Sequence, residues 1–166
     1  MVSNLKFDFD VDRGNNKVTV KREFAAKPDL VWNAWTNAEI LDQWWAPKPW
    51  KAETQKMEFR PGGIWHYAMV GPEGEKHYAR NDYKSIAEKR SFTAIDSFCD
   101  ETGAINDELP RTNWQVRFSE GDDLTTVQVN LTYESPEALD KMIEMGFKEG
   151  FATAMEGLDE LLPTLK

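Results

Sequence analysis

Along this chain the apolar residues recur with two periods, and the switches between them mark out the elements. Leu5, Phe7, Phe9 and Val11 alternate with Lys6, Asp8, Asp10 and Asp12. After Arg13-Gly14-Asn15-Asn16 the alternation resumes at Val18, Val20, Arg22 and Phe24, so a strand, a turn and a second strand are predicted. Pro28 then opens a short helix, Pro28 to Trp35, with Val31, Ala34 and Trp35 on one side. Asn37 caps a second, Ala38 to Trp45, carrying Ile40, Leu41, Trp44 and Trp45 before Pro47 stops it. From Ala52 the period returns to two. A strand ending at Phe59, the turn Arg60-Pro61-Gly62-Gly63, Ile64 to Val70, the turn Gly71-Pro72-Glu73-Gly74 and His77 to Ala87 make an antiparallel meander. Arg90 to Phe98, Asn113 to Ser119 and Leu124 to Glu134 add three strands, and no internal repeat or linker-like tract interrupts the series.

The last stretch has helical period. Ser135 caps it, Pro136 takes the first helical position, Glu134 and Glu137 sit at the positive end of the dipole, and Pro163 closes it. Leu139, Ile143, Phe147, Phe151, Ala154, Leu158 and Leu161 share one face, which predicts a single helix from Ser135 to Leu162. Gly146, Gly150 and Gly157 interrupt its covered side, each at a cost of about 1 kcal/mol in helix propensity. Either the helix lies directly on a sheet, or the missing side chains leave a cavity beside Met142, Phe147 and Phe151. The elements together describe an α+β fold in which a strongly curved antiparallel sheet wraps around a long C-terminal helix.

Parity along the strands sorts the remaining candidates. Trp65, Tyr67 and Met69 share a face opposite His66, while Trp114, Val116 and Phe118 match Val127, Val129, Leu131 and Tyr133 as an inner set. Two readings stay open: ordinary core, or the lining of a pocket whose Trp and Tyr donors meet a ligand. Tyr78 and Arg80 take one parity of their strand, His77 and Ala79 the other. An inward Arg80 would hold a ligand carboxylate or phenolate, and an outward one would be solvated.

Composition narrows the function. A chain of 166 residues with 40% hydrophobic and 30% charged residues is expected to form one domain, residues 1–166, with 1–16 as an extra N-terminal strand and turn. A net charge of −9 opposes nucleic acid and anionic membrane as partners. With a single cysteine, no signal-like start and no apolar run of roughly 18 residues, the protein is expected in the cytoplasm. His66 and His77 lack the spacing of a metal site, and no phosphate loop, dinucleotide fingerprint or nucleophile elbow occurs, so neither metal nor cofactor is expected. Cys99 beside Asp100 and Glu101 reads as an inert thiol with a raised pKa, and the acidic loop from Asp100 to Pro110 as solvated.

Four motifs in order are familiar. Arg22-Glu23-Phe24 with Pro28-Asp29-Leu30-Val31-Trp32-Asn33-Ala34-Trp35-Thr36, then Trp44-Trp45-Ala46-Pro47, Arg60-Pro61-Gly62-Gly63 and Met145-Gly146-Phe147-Lys148-Glu149-Gly150-Phe151 resemble the heat-shock-protein-90 ATPase activator homologue family of the START-like (SRPBCC) superfamily. The resemblance runs from about Val18 to Leu162. It implies a helix-grip fold whose cavity, between sheet and C-terminal helix, binds an apolar small molecule in many relatives. Asn81-Asp82, where relatives usually carry a glycine, and the strand from Leu5 to Val11 depart from the family pattern.

Three functions follow for test. The first is non-catalytic binding of a hydrophobic or aromatic small molecule by Trp65, Tyr67, Met69, Tyr78, Arg80, Trp114, Val116, Met142, Gly146, Phe147, Gly150 and Phe151. The second is an accessory role toward a chaperone, with Trp44, Trp45 and Trp50 as the candidate docking patch. The third is a cyclase- or hydrolase-like enzyme using Arg80, Tyr67 or His77 in the same space. The sequence is silent on oligomeric state.

Overall fold

In the computed structural model, which describes residues 6–165, the strands form one sheet, and its register explains which side chains look inward. Leu5 lies outside the described residues. The strands are β1 (Phe7–Asp12), β2 (Lys17–Phe24), β3 (Lys51–Met57), β4 (Ile64–Val70), β5 (Lys76–Ala87), β6 (Ser91–Cys99), β7 (Thr112–Gly121) and β8 (Leu124–Thr132). They lie in the order β1-β2-β8-β7-β6-β5-β4-β3, every neighbouring pair antiparallel. Register shifts at Thr54/Lys56 and at Tyr83/Ser85 bend the strands, and the sheet curves around what lies on its inner face.

Between β2 and β3 come α1 (Pro28–Thr36) and α2 (Ala38–Trp44). Pro28 stands in the first turn of α1, and the Asn37 side chain caps α2 by accepting from Glu39 N at 3.0 Å and Ile40 N at 3.3 Å. Val31, Trp32, Ala34 and Trp35 of α1 and Ile40, Leu41 and Trp44 of α2 are buried, as their spacing requires. The turn before β4 depends on two glycines. Gly62 has φ +84°, and a Cβ at Gly63 would stand 2.0 Å from the Glu58 carbonyl oxygen, so neither place admits a side chain.

The sequence predicts one helix from Ser135 to Leu162; the backbone makes two. α3 (Pro136–Glu144) starts at Ser135, whose hydroxyl accepts from Ala138 N at 3.1 Å, and α4 (Phe147–Leu161) follows after Met145 and Gly146. Gly146 has φ +86°, donates to Ile143 O at 3.0 Å and accepts from Gly150 N at 2.9 Å. It therefore closes α3 as a left-handed glycine and opens α4. Apolar spacing continues across the break, which is why periodicity misses it.

Trp44 is fully buried, and Trp45 packs against Trp35, Trp65, Trp114 and Phe151, so both belong to the core. Trp50 lies beside His77, with ring centroids 5.6 Å apart. The three do not form an exposed patch. No described helix is long and apolar enough to cross a membrane.

Candidate functional site

The inner face of the sheet is filled at one end and open at the other. Beneath the break between α3 and α4, a cavity of about 280 Å³ lies against β4, β5, β6 and β7. Its sheet side carries Tyr67 and Met69 of β4, Ala79 of β5, Phe98 of β6 and Trp114 of β7. Met142 of α3, Met145 and Gly146 of the break, and Phe147, Gly150 and Phe151 of α4 form the opposite side. Trp45 and Pro47, just after α2, close one end. Phe147 and Phe151 stack with centroids 5.3 Å apart, and Trp114 stands edge-on to Phe151 at 5.7 Å. A Cβ placed on Gly150 would meet only Pro47, at an ordinary 3.7 Å, so this glycine borders space and is not pressed onto the sheet.

Of the residues named from sequence, the structure brings Tyr67, Met69, Tyr78, Trp114, Met142, Gly146, Phe147, Gly150 and Phe151 together around this cavity. Trp65 lies behind it, stacked on Tyr67 with centroids 4.1 Å apart, and Val116 is buried in the filled end. Arg80 is on the outer face. Its guanidinium donates to Asp82 Oδ1 from Nε at 3.0 Å and from Nη2 at 2.6 Å, and to Gly103 O from Nη1 at 2.9 Å. There it ties the loop after β6 to the sheet, as does His66, whose Nε2 is 3.1 Å from Asp100 O. An Arg80 role inside the cavity does not survive this placement. His77 sits at the rim.

Several cavity residues, Pro47, Ala79, Phe98 and Met145 among them, were not singled out in the sequence, and the one carboxylate of the lining, Asp96, was also missed. Asp96 takes the inward parity of β6, with Phe92, Ala94 and Phe98, and faces Asn81 on β5 and Thr112 on β7. Burial, reinforced by Asp82, raises its carboxyl to about 7. The signal was a lone carboxylate in an otherwise apolar inward series, Phe92-Ala94-Asp96-Phe98. Tyr67 is another polar residue of the wall. Its hydroxyl accepts from Trp45 Nε1 at 3.0 Å, and burial pushes its pKa well above the usual value. The Cys99 thiol is raised to about 11, by burial first and by Asp100 only after that, with Arg80 pulling the other way.

The chain that builds this arrangement matches, over residues 25–163, the model of a family described as Activator of Hsp90 ATPase homolog 1-like protein. The chain belongs to that family. Two solved structures of similar sequence carry the same fold. Protein Ms6760 from Mycobacterium smegmatis is 32% identical, with a TM-score of 0.87, over 96% of this chain and 97% of its own. A protein from Arthrobacter aurescens is 33% identical, with a TM-score of 0.89, over 95% of this chain and 91% of its own. CalU16 from Micromonospora echinospora, at 18% identity and a TM-score of 0.63 over 96% of this chain and 87% of its own, shares the fold alone. No functionally curated protein matches the chain. The stretch Arg60-Pro61-Gly62-Gly63 has a structural use: Gly62 N donates to Tyr83 O at 2.9 Å and Tyr83 N to Gly63 O at 3.0 Å, which pins the turn to β5.

Proposed function

We propose that the protein binds an apolar or aromatic small molecule in the cavity beneath the α3–α4 break, without transforming it. The observation that carries this reading is the cavity itself. Its volume of about 280 Å³ lies near the lower end of ligand pockets, ~300 to 1,000 Å³, and well above the ~150 Å³ that holds a benzene. Its walls are mainly aromatic and thioether side chains, which suits a body of one or two rings. The match over residues 25–163 supports treating the chain as a single START-like domain. A net charge of −9 argues against nucleic acid as a partner, and the lone cysteine supports a cytoplasmic setting.

Gly150→Leu tests the reading. Its side chain would extend into the cavity, so affinity for an apolar fluorescent probe should fall at least tenfold while the denaturant midpoint holds or rises, helped by about 1 kcal/mol of helix propensity. A stability loss of about 1 to 3 kcal/mol, the mark of an overpacked core, with probe binding unchanged would overturn it. Mass spectrometry of compounds released from the purified protein by denaturation would then name the ligand. The family's description supports a second reading, an accessory role toward a chaperone ATPase. Stimulation of such an ATPase by a protein that binds no probe would favour that reading instead.

A further inference from the structure

We propose that the cavity selects ligands in which a protonated amine is joined to an apolar or aromatic body, with the Asp96 carboxylate as the anchor for the ammonium. The inference rests on the small-molecule reading above and specifies what the site recognises.

Charges on the inner face of this protein are otherwise met by the chain itself. Arg22, buried on β2, pairs with Asp159 of α4 and donates to Glu23 O at 2.7 Å. On the outer face, Asp82 is taken by Arg80. Asp96 has no such partner: among the described residues no ion pair or hydrogen bond reaches its carboxylate, and no lysine or arginine lines the cavity. A carboxylate in an apolar enclosure is costly unless a cation or donor meets it. The titratable groups near it are Tyr67 of β4, His77, Tyr78 and Tyr83 of β5, Cys99 of β6 and Tyr133 after β8, with Asp82 acting from the outer face. Of these only His77, at the rim, can carry a positive charge. The helical side presents Met142, Phe147 and Phe151, and the α2 side Trp45, none of which titrates. Apart from that rim histidine, which makes no ion pair or hydrogen bond with Asp96 among the described residues, a cation is supplied from outside or not at all.

The walls suit one. Trp45, Trp114 and Phe151 offer aromatic faces and edges within one small volume, and an ammonium is attracted to such faces. The chain's net charge of −9 attracts cations from solution in the first place. An anionic ligand would meet Asp96 with no lysine or arginine in the lining to compensate.

Three probes with one ring system separate the possibilities: 1-naphthylmethylamine, 1-naphthalenemethanol and 1-naphthoate, titrated calorimetrically into the full chain. At pH 7.5 the amine should bind about tenfold or more tightly than the alcohol, and the naphthoate more weakly than both. Asp96→Asn, which keeps the shape, should erase the amine's advantage while leaving alcohol binding within about twofold. In the parent protein, which needs no variant to fold, the advantage should shrink as pH falls from 8 to 5 and the carboxyl, held up at about 7, takes its proton. Equal binding of amine and alcohol by the parent overturns the inference and leaves the cavity reading standing. An amine advantage that persists in Asp96→Asn does the same, because general charge attraction then suffices. Failure of all three probes to bind overturns both.

Discussion

The two ends of the concave face are built from the same residue types and end up in opposite states. At one end Trp35 of α1 meets Phe24, Trp44, Trp45, Phe118 and Phe151, each edge-on, and the interior is full. At the other, Tyr67, Trp114, Phe147 and Phe151 surround about 280 Å³ of space. Aromatic content therefore does not decide whether the interior closes. The element opposite does. The filled end faces α1, α2 and an unbroken stretch of α4 that buries Ala154, Met155 and Leu158, whereas the open end faces the place where α3 stops and α4 begins.

Truncation is the strongest way to break that comparison. Trp35→Ala should cost about 3 to 5 kcal/mol in denaturant unfolding, because the atoms it removes are packed on every side. Phe147→Ala, at the wall of the cavity, should cost only about 1 to 2 kcal/mol, since part of its ring already borders space. Equal losses would show that the open end is as tightly packed as the filled one.

Proton linkage gives a smaller effect. The folded-state carboxyl of Asp96 lies at about 7, above its unfolded value, so the folded protein holds that proton more tightly. Its ionisation opposes folding: stability falls as pH rises from about 4 to about 7 and levels off above, by roughly 2 kcal/mol for a group partly open to the cavity. Asp159, pushed up by burial in spite of Arg22, slopes the same way. Asp100 and Asp140, held low by hydrogen bonds from Thr102 and Arg13, lose their stabilising contribution only below the ordinary carboxylate range. Unfolding followed from pH 4.5 to 7.5 should therefore show a downward slope that Asp96→Asn reduces. An identical slope in the variant would remove Asp96 from the interior.

The smallest effects sharpen the comparison at the helix itself. Gly146→Ala should lose about 1 kcal/mol or more, because φ of +86° is unfavourable for a side chain. Gly157→Ala, in an ordinary helical position with nothing within 4 Å of its Cβ, should gain up to about 1 kcal/mol. Thermal midpoints moving the same way in both variants would contradict the break.

Much of the fold was legible because the signals for it are local. Alternation from Phe7 to Tyr133 marks the strands, Asn37 and Ser135 cap the helices they precede, and Pro28 stands in a first turn. The break was not legible in that way: Ile143, Phe147 and Phe151 keep helical spacing straight across Gly146, and only the backbone angle distinguishes a glycine inside a helix from one that ends it. The site was legible in its walls and not in its polar group. Parity alone leaves Arg80 free to face either way, and it took the placement of Asp82 and Gly103 O to draw it outward. Asp96 follows the same parity that turns Trp114 inward, since Ala94, two residues before it, pairs with Trp114.

The outermost strand carries a message about neighbours. β1 is an edge, and its backbone would pair with another copy's edge unless something prevents it. Asp8, Asp10 and Asp12 stand on one side of it, opposite Lys21, Thr19 and Lys17 of β2. Within the chain two of the three thus stand across from a lysine, so no like charges oppose there. In an antiparallel union of two such edges that keeps both concave surfaces on the same side, aspartate would face aspartate, Asp10 against Asp10 and Asp8 against Asp12. Like charges directly opposed destabilise such a pairing, so the same aspartates that meet lysines across their own sheet discourage this strand from seeding aggregation, a protection that acid would strip away.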